Sequence, residues 1–326
     1  MTQKVLFIGG TGVISSACSA LAVEREIELY LFTRGSSLRS APKGANLIFG
    51  DINKAGDIDL ALEQHNFDTV VNWIAFEPDD IERDIQTFRG KVGQYIFISS
   101  ASAYQKPVQK LPITEKTPLE NPYWAYSRAK IACEESLVQA FERDHFPVTI
   151  VRPSHTYDKT LLPMRGGFTV LDRILKEDPV IIHGDGTSLW VLTHQKDFAN
   201  GFVGLLGNPM AIGEDFQITS DEILTWNGIF KMVAEAAGKL LHPVHIPSSV
   251  IAQFDPDWGA SLLGDKDHSV IFDNSKIKSL VPDFNAKIPY HEGCKEIVQW
   301  YLDNPKHQIV DQDFSIMMDK LISNYQ

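Results

Sequence analysis

Lys4-Val5-Leu6-Phe7-Ile8-Gly9-Gly10-Thr11-Gly12-Val13-Ile14-Ser15 is the stretch that decides the fold. Residues 4–8 form a short apolar, β-prone run without alternation, the pattern of a strand buried on both faces of a parallel sheet. The glycines that follow leave no Cβ in a tight turn, and the turn opens a helix running to about residue 26. Such a helix aims free backbone N–H groups and the positive end of its dipole at an anion such as a pyrophosphate. A second strand over residues 28–33 completes strand, glycine turn, helix and strand within about thirty residues, the mononucleotide-binding unit.

Outward from that unit, strands at 46–49, 68–74, 95–98 and 147–152 alternate with helices such as 57–65 and 126–144, up to about Tyr157. The expected class is α/β, a doubly wound (Rossmann) parallel sheet with a smaller C-terminal substrate lobe. Beyond residue 157 the alternation breaks up. A helix over 167–177, a strand over 180–183 and Pro/Gly-rich loops from 243 to 266 read as that lobe, lying over the cleft. Residues 1–157 are therefore expected to form the dinucleotide-binding domain and 158–326 mainly the substrate-binding lobe. No internal repeat or low-complexity tract is visible.

Tyr126-Ser127-Arg128-Ala129-Lys130 pairs a phenol with an ammonium four residues later, and on a helix the two share a face. A phenol of ordinary pKa near 10 is a poor base at neutral pH, and a fixed cation nearby favours the phenolate. Such a tyrosine can carry a proton to or from a hydroxyl. Ser100 lies just beyond the strand at 95–98, at the end where a doubly wound sheet binds its ligands. Ser99 and Ser102 share its chemistry and read as turn hydroxyls bonding local backbone. Thr33-Arg34 stands where many NAD-binding units place a carboxylate for the ribose hydroxyls. A guanidinium there favours a 2′-phosphate and hence NADP over NAD, although Arg34 also fits a solvated loop residue stacked on adenine. Asp51-Ile52 and the end of the fourth strand, up to Ala75, are where an adenine ring would be flanked.

The chain has 326 residues, 44% hydrophobic and 22% charged, and a formal net charge of −12. That composition is ordinary for a soluble globular protein. The acidity and the absence of a Lys/Arg-rich run argue against a nucleic-acid partner. No basic, apolar and small-residue succession opens the chain and no apolar run approaches the ~20 residues of a membrane span, so no membrane association and cytoplasmic residence are expected. Cys18, Cys133 and Cys294 are far apart and read as reduced packing thiols. No ligand-type histidine spacing is present, so no metal is expected; His155, His183 and His194 read as structural histidines.

Taken together, Gly9-Gly-Thr-Gly12, Gly50-Asp51-Ile52, Phe97-Ile98-Ser99-Ser100-Ala101-Ser102-Ala103-Tyr104, Tyr126-x-x-x-Lys130, Arg152-Pro153-Ser154-His155-Thr156-Tyr157, Gly184-Asp185-Gly186 and Asp273-Asn274-Ser275-Lys276 resemble, in order and spacing, the extended short-chain dehydrogenase/reductase family, in its NAD-dependent epimerase/dehydratase branch. The resemblance implies that Ser100 holds the substrate oxygen, that Tyr126 is the acid/base, and that Lys130 lowers the tyrosine pKa and bonds the nicotinamide ribose. It places the dinucleotide on Gly9, Thr11, Gly12, Val13 and Ile14, on Arg34, Asp51, Ile52 and Ala75, on Tyr126 and Lys130, and on Pro153, Ser154 and His155. It also implies that residues of about 190–220 rejoin the first domain, so that the two parts interleave, and that the helix carrying Tyr126 lies at a two-fold homodimer interface.

Departures from the family pattern narrow the chemistry. Dehydratases of this branch carry an Asp-Glu pair directly after the catalytic hydroxyl, whereas this chain has Ala101-Ser102, and a double epimerase would have cysteine where Ser102 stands. What remains is oxidation of a sugar carbinol, reduction of a ketosugar, or epimerisation by oxidation and re-reduction. Trp190 stands where nucleotide-sugar enzymes of the family often have an arginine for the diphosphate. Tryptophan can stack on a sugar face or pack in a core, but it cannot neutralise a diphosphate. Either Arg165 or Lys266 supplies the charge, or the substrate is a sugar, sugar acid or sugar phosphate without a nucleotide. Ser102, Arg165, Trp190 and Lys266 are the expected substrate contacts. Two other readings are a catalytically silent NAD(P)-binding regulator, which predicts a broken Tyr-x-x-x-Lys, and an RNA-binding relative, against which the acidic balance counts.

Overall fold

The computed structural model describes residues 3–37, 39–54 and 56–325. Its opening unit is β1 (Lys4–Ile8), α1 (Val13–Glu24) and β2 (Glu28–Thr33). Then come β3 (Asn46–Phe49), α2 (Asp57–Gln64), β4 (Thr69–Asn72), α3 (Pro78–Phe88), β5 (Gln94–Ile98), α4 (Ala125–Asp144) and β6 (Val148–Pro153). They are followed by β7 (His155–Tyr157), α5 (Phe168–Lys176), β8 (Val180–His183), β9 (Leu189–Trp190), β10 (Leu192–His194), α6 (Gln195–Val203) and β11 (Asp215–Ile218).

Seven strands form one sheet in the order β11-β6-β5-β4-β1-β2-β3, every neighbouring pair parallel. Side chains alternate across the sheet. Val5 and Phe7 of β1 pack with Cys18, Ala22, Phe198 and Phe202 under α1 and α6, while Leu6 and Ile8 pack with Ile81, Ile85, Phe88 and Leu137 under α3 and α4. That double burial is why β1 reads as a continuous apolar run. The chain runs outward from β1 in both directions, to β2 and to β4, so a crevice opens at their C-terminal ends.

β4 stops at Asn72, two residues short of the apolar run that the sequence presents. The Asn72 side chain accepts a hydrogen bond from the Ile74 N–H at 2.9 Å and donates to Asp84 of α3; the Trp73 N–H still reaches the Ile8 carbonyl at 3.1 Å, and the turn takes the chain out of the ladder after it. Between β6 and β11 the chain leaves the sheet and returns. α6 lies beside α1 in one apolar cluster, and β11 pairs with β6 from Asp215↔Ile150 to Ile218↔Pro153.

The remaining elements are β12 (Leu224–Thr225), α7 (Trp226–Ala236), β13 (Pro243–Ile246), α8 (Ser248–Phe254), α9 (Pro256–Ser261), α10 (Ser275–Leu280), α11 (Tyr290–Asp303) and α12 (Gln312–Tyr325), with a π-helical turn at Leu262–Lys266. Most of them share a separate core in which Tyr157, Ile181, Trp226, Val233, Tyr290 and Met318 meet. Short pairs of strands, β13–β8, β10–β7 and β12–β9, lace that lobe together. No helix among the described residues is long and apolar enough to cross a membrane.

Candidate active site

A cleft of about 780 Å³ runs along the C-terminal ends of the central strands, and Gly9, Thr11, Gly12, Val13 and Ile14 form part of its wall. The glycines serve different ends. Gly9 and Gly10 sit at φ 96° and 104°, a region that side chains disfavour, and a Cβ on Gly10 would lie 2.7 Å from Leu31 Cδ2. Gly12 caps α1 at an ordinary φ of −78°, so its missing side chain keeps space open above the helix. Ser15 Oγ accepts from the Gly12 N–H at 2.8 Å, and among the described residues no side chain takes the N–H groups of the first turn that follows, which leaves them available to a ligand in the cleft.

At one end the cleft is walled by Arg34, Ser36, Ser37, Arg39, Asp51 and Ile52. Arg34 is exposed and has no ion-pair partner among the described residues. Arg39 went unnoticed in the sequence. It reaches into the second lobe, with Nε 3.4 Å from Asp158 Oδ2 and an Nη2 hydrogen bond to Thr160. The signal available was its place five residues after Arg34 in a loop without acidic residues; its partner lies too far along the chain to be read.

At the other end α4 presents Tyr126, Lys130 and Glu134 at successive four-residue intervals. The Lys130 ammonium donates to the carbonyls of Ala75 at 2.8 Å and Ile98 at 2.9 Å and lies over the rings of Phe76 and Phe97. Ala75 thus acts through its carbonyl from behind the wall rather than on the cleft itself. Burial pushes the Lys130 ammonium down to about 8. Burial also pushes the Tyr126 phenol up; the Ser100 hydroxyl opposes that shift and Asp265 adds to it. The sequence led us to expect a tyrosine lowered by Lys130. Instead the lysine is anchored on two carbonyls, with Nζ 5.9 Å from the centre of the Tyr126 ring.

Ser100 follows β5 and lines the cleft, and its Oγ lies 2.9 Å from that of Ser102, which accepts from Ser127 Oγ at 2.8 Å. Ser99 also borders the cleft, but its hydroxyl is spent on Glu134, to which it donates. Glu134 forms a two-pronged ion pair with Arg152, Nε to Oε1 at 3.0 Å and Nη2 to Oε2 at 2.5 Å, and both groups are buried. Arg152 also meets Asp215 at 2.6 Å. This pair ties α4 to the residues just before Ser100 and Pro153. Neither partner was singled out from the sequence, although Glu134 continues the Tyr126–Lys130 interval by one more turn.

Ser100, Tyr126, Pro153 and Ser154 also line a second cavity, of about 250 Å³, so they form the wall that the two spaces share. Ser102, Trp190 and Lys266 line this cavity, as does His155, which the sequence placed with the dinucleotide. His155 follows the end of β6 and turns to Trp190, whose Nε1 donates to its Nδ1 at 3.4 Å; burial pushes its imidazole down to about 3. Trp190 is almost wholly buried yet forms cavity wall, so it both packs in the core and borders the open space. Arg165 does not take part. It is ion-paired with Asp255 at 2.9 Å and lines a separate hole of about 20 Å³. Lys266 ends the π-helical turn, a feature frequent at functional sites, and its carbonyl accepts from Trp226 Nε1, His183 Nε2 and Ser188 Oγ. Among the described residues no cluster of three or more His, Cys, Asp or Glu side chains is placed to hold a metal.

The chain is similar to a chloroplast stem-loop binding protein of 41 kDa from Arabidopsis thaliana, 28% identical over 269 residues, which cover 78% of this chain and 66% of that protein. The chain thus spans just under two thirds of that relative's length. It is also similar to a 2′-dehydrokanamycin reductase from Streptomyces kanamyceticus, 24% identical over 305 residues, 88% of this chain and 81% of that one. Its fold matches the crystal structure of UDP-glucose 4-epimerase from Bifidobacterium longum in complex with NAD+ and UDP, with a TM-score of 0.75, 17% identity and coverage of 94% of this chain and 100% of that one. The family model for the NAD dependent epimerase/dehydratase family matches residues 5–219, the span that holds the glycine turn, Ser100, Tyr126 and Lys130, and the chain belongs to that family.

Proposed function

We propose that the protein is an NAD(P)-dependent oxidoreductase or epimerase acting on a sugar carbinol or its ketone, with Ser100, Tyr126 and Lys130 as its working set. The observation that carries this reading is the shared wall. Ser100 and Tyr126 border both the long cleft and the smaller cavity, so a substrate oxygen in the smaller space would meet both hydroxyls beside whatever fills the cleft. The cleft suits a dinucleotide, since glycine replaces side chains over the free N–H groups of α1 and two arginines stand at its far end. Arg34, exposed at the cleft with no carboxylate beside it in the loop, favours a 2′-phosphate and therefore NADP, while Arg39 is held by Asp158.

The nicotinamide would supply or accept the hydride. Ser100 would hold the substrate oxygen. Tyr126, kept protonated at neutral pH by burial, would give its proton to that oxygen as negative charge develops there, and would take it back in the reverse direction. Lys130 has three N–H donors; two are spent on Ala75 and Ile98, and the third remains for a ligand hydroxyl in the cleft. The stem-loop binding in the Arabidopsis relative's name is not carried over, because a net charge of −12 opposes a phosphate backbone.

The test is to identify the co-purifying nucleotide by mass spectrometry and then to compare wild type with Tyr126→Phe on ketosugars and reducing sugars. The substitution removes only the ionisable oxygen, so turnover should fall at least about 10²-fold with cofactor affinity retained. Turnover by Tyr126→Phe at the wild-type rate would refute the assigned chemistry and favour a nucleotide-sensing regulator.

A further inference from the structure

We infer that the substrate is a compact carbohydrate bearing one carboxylate or phosphate ester, with that anion on Lys266, and that it carries no nucleotide. This rests on the hydride-transfer reading above and specifies the substrate of the same site. Size argues first. The cavity next to Ser100 and Tyr126 holds about 250 Å³, below the range of about 300–1,000 Å³ that drug-sized ligands occupy, and a sugar nucleotide is at least that large.

The lining then decides the chemistry. Trp124, Trp190 and Phe272 supply flat apolar walls suited to the C–H face of a sugar ring. Among the described residues the only lining side chains that carry charge at neutral pH are Asp265 and Lys266. Asp265 lies 3.6 Å from Lys266 Nζ and 3.8 Å from Lys106 Nζ, which is buried behind it. Burial lowers the Lys106 ammonium and Asp265 opposes that shift, so Asp265 is shared between the two lysines, and Lys266 is the cation that reaches the cavity. Its Nζ lies 5.1 Å from the Trp124 ring and 5.7 Å from the Trp190 ring, at the edge of the aromatic walls. His155 is neutral, with Nδ1 occupied by the Trp190 N–H, so Nε2 carries its proton and is a donor for ligand hydroxyls. A diphosphate brings about two negative charges, no more than a phosphate monoester carries at neutral pH, so the bulk of the nucleoside and not its charge argues against a sugar nucleotide in this cavity. Arg165 adds no cation here, because it is held by Asp255 outside this cavity.

The experiment is calorimetric titration of the protein saturated with its co-purifying nucleotide, using D-glucuronate, D-glucose 6-phosphate, D-glucose and UDP-glucose. At least one of the two anionic sugars should bind tenfold or more tightly than both glucose and UDP-glucose. Which of them does so distinguishes carboxylate from phosphate ester. Lys266→Met should abolish the tenfold preference and Lys266→Arg should keep most of it; the conservative variant guards against a fold defect in the first. The inference is overturned if UDP-glucose binds more tightly than both anionic sugars, if neither outbinds glucose, or if Lys266→Met leaves the preference intact. Tight anionic-sugar binding with no hydride exchange would sustain it while refuting the oxidoreductase reading.

Discussion

Gly10 and Gly12 stand two residues apart in the same turn, and the structure gives them unlike reasons to lack a side chain. At Gly10 the backbone occupies φ 104° and a Cβ would press on Leu31, so Gly10→Ala should cost about 1–3 kcal/mol of stability, seen as a lower denaturant midpoint. At Gly12 the backbone is ordinary and a Cβ would meet only Ser15 Oγ, at 3.2 Å, so Gly12→Val should cost less stability than the Gly10 variant and lose nucleotide binding, because the added side chain stands at the cleft wall. Calorimetry with unchanged affinity for the Gly12 variant would remove the pyrophosphate from this turn. Arg34, exposed at the cleft and without an ion-pair partner among the described residues, gives a third outcome. Arg34→Ala should weaken NADP by about 1.5–3 kcal/mol and NAD much less, and equal losses would dismiss the 2′-phosphate contact. The glycine turn and the place of Arg34 beside it at the cleft were legible in the sequence because both follow from local chain geometry. Arg39 was not, since what fixes its side chain is Asp158 and Thr160 in the other lobe.

At the scale of elements, α4 carries Tyr126, the proposed acid/base, and a buried charge pair holds the helix in place. Glu134 takes hydrogen bonds from Ser99 and Arg152, so one carboxylate fixes the helix to β5's end and to β6. Taking away Arg152 would leave Glu134 buried and uncompensated, while taking away the Glu134 charge leaves Arg152 with Asp215 as its remaining carboxylate, so the loss reaches at most that of a broken buried pair, about 3–5 kcal/mol. Glu134→Gln should lower stability by up to that amount, measured by urea unfolding, and should reduce turnover more than nucleotide affinity, because Tyr126 sits two turns along the helix. A stability loss of a few tenths of a kcal/mol would show that the pair is not what anchors α4. The periodicity of 126–144 announced this helix, and Tyr126 with Lys130 marked the face that borders the cleft. The sequence could not show that Lys130 is held by the Ala75 and Ile98 carbonyls, because that geometry depends on the Asn72 turn that breaks β4 early. Without that turn the apolar run to Ile74 reads as strand.

For the molecule as a whole, the second lobe stores three histidines that stay neutral, and they set how stability answers to acid. His183 packs edge-on against Trp226 and His194 against Tyr157, while His155 meets Trp190. Burial pushes His155 down to about 3 and His183 to about 4, and lowers His194 as well. In the unfolded chain each would titrate near its ordinary value of about 6.5. As pH falls below that value the unfolded state binds protons that the folded state refuses, so the stability present above pH 6.5 is lost progressively toward pH 4. Each histidine contributes up to about 1.4 kcal/mol per pH unit to that slope. Asp84 and Glu115, raised by burial, act in the opposite sense, since their folded forms take up protons first. Substitution separates the two contributions. Urea midpoints from pH 7.5 to 5 should fall for wild type, and His183→Gln should flatten that fall by up to one proton's share, even if it lowers stability at every pH. An unchanged slope in the variant would mean that His183 is charged in the folded lobe, contrary to its burial against Trp226.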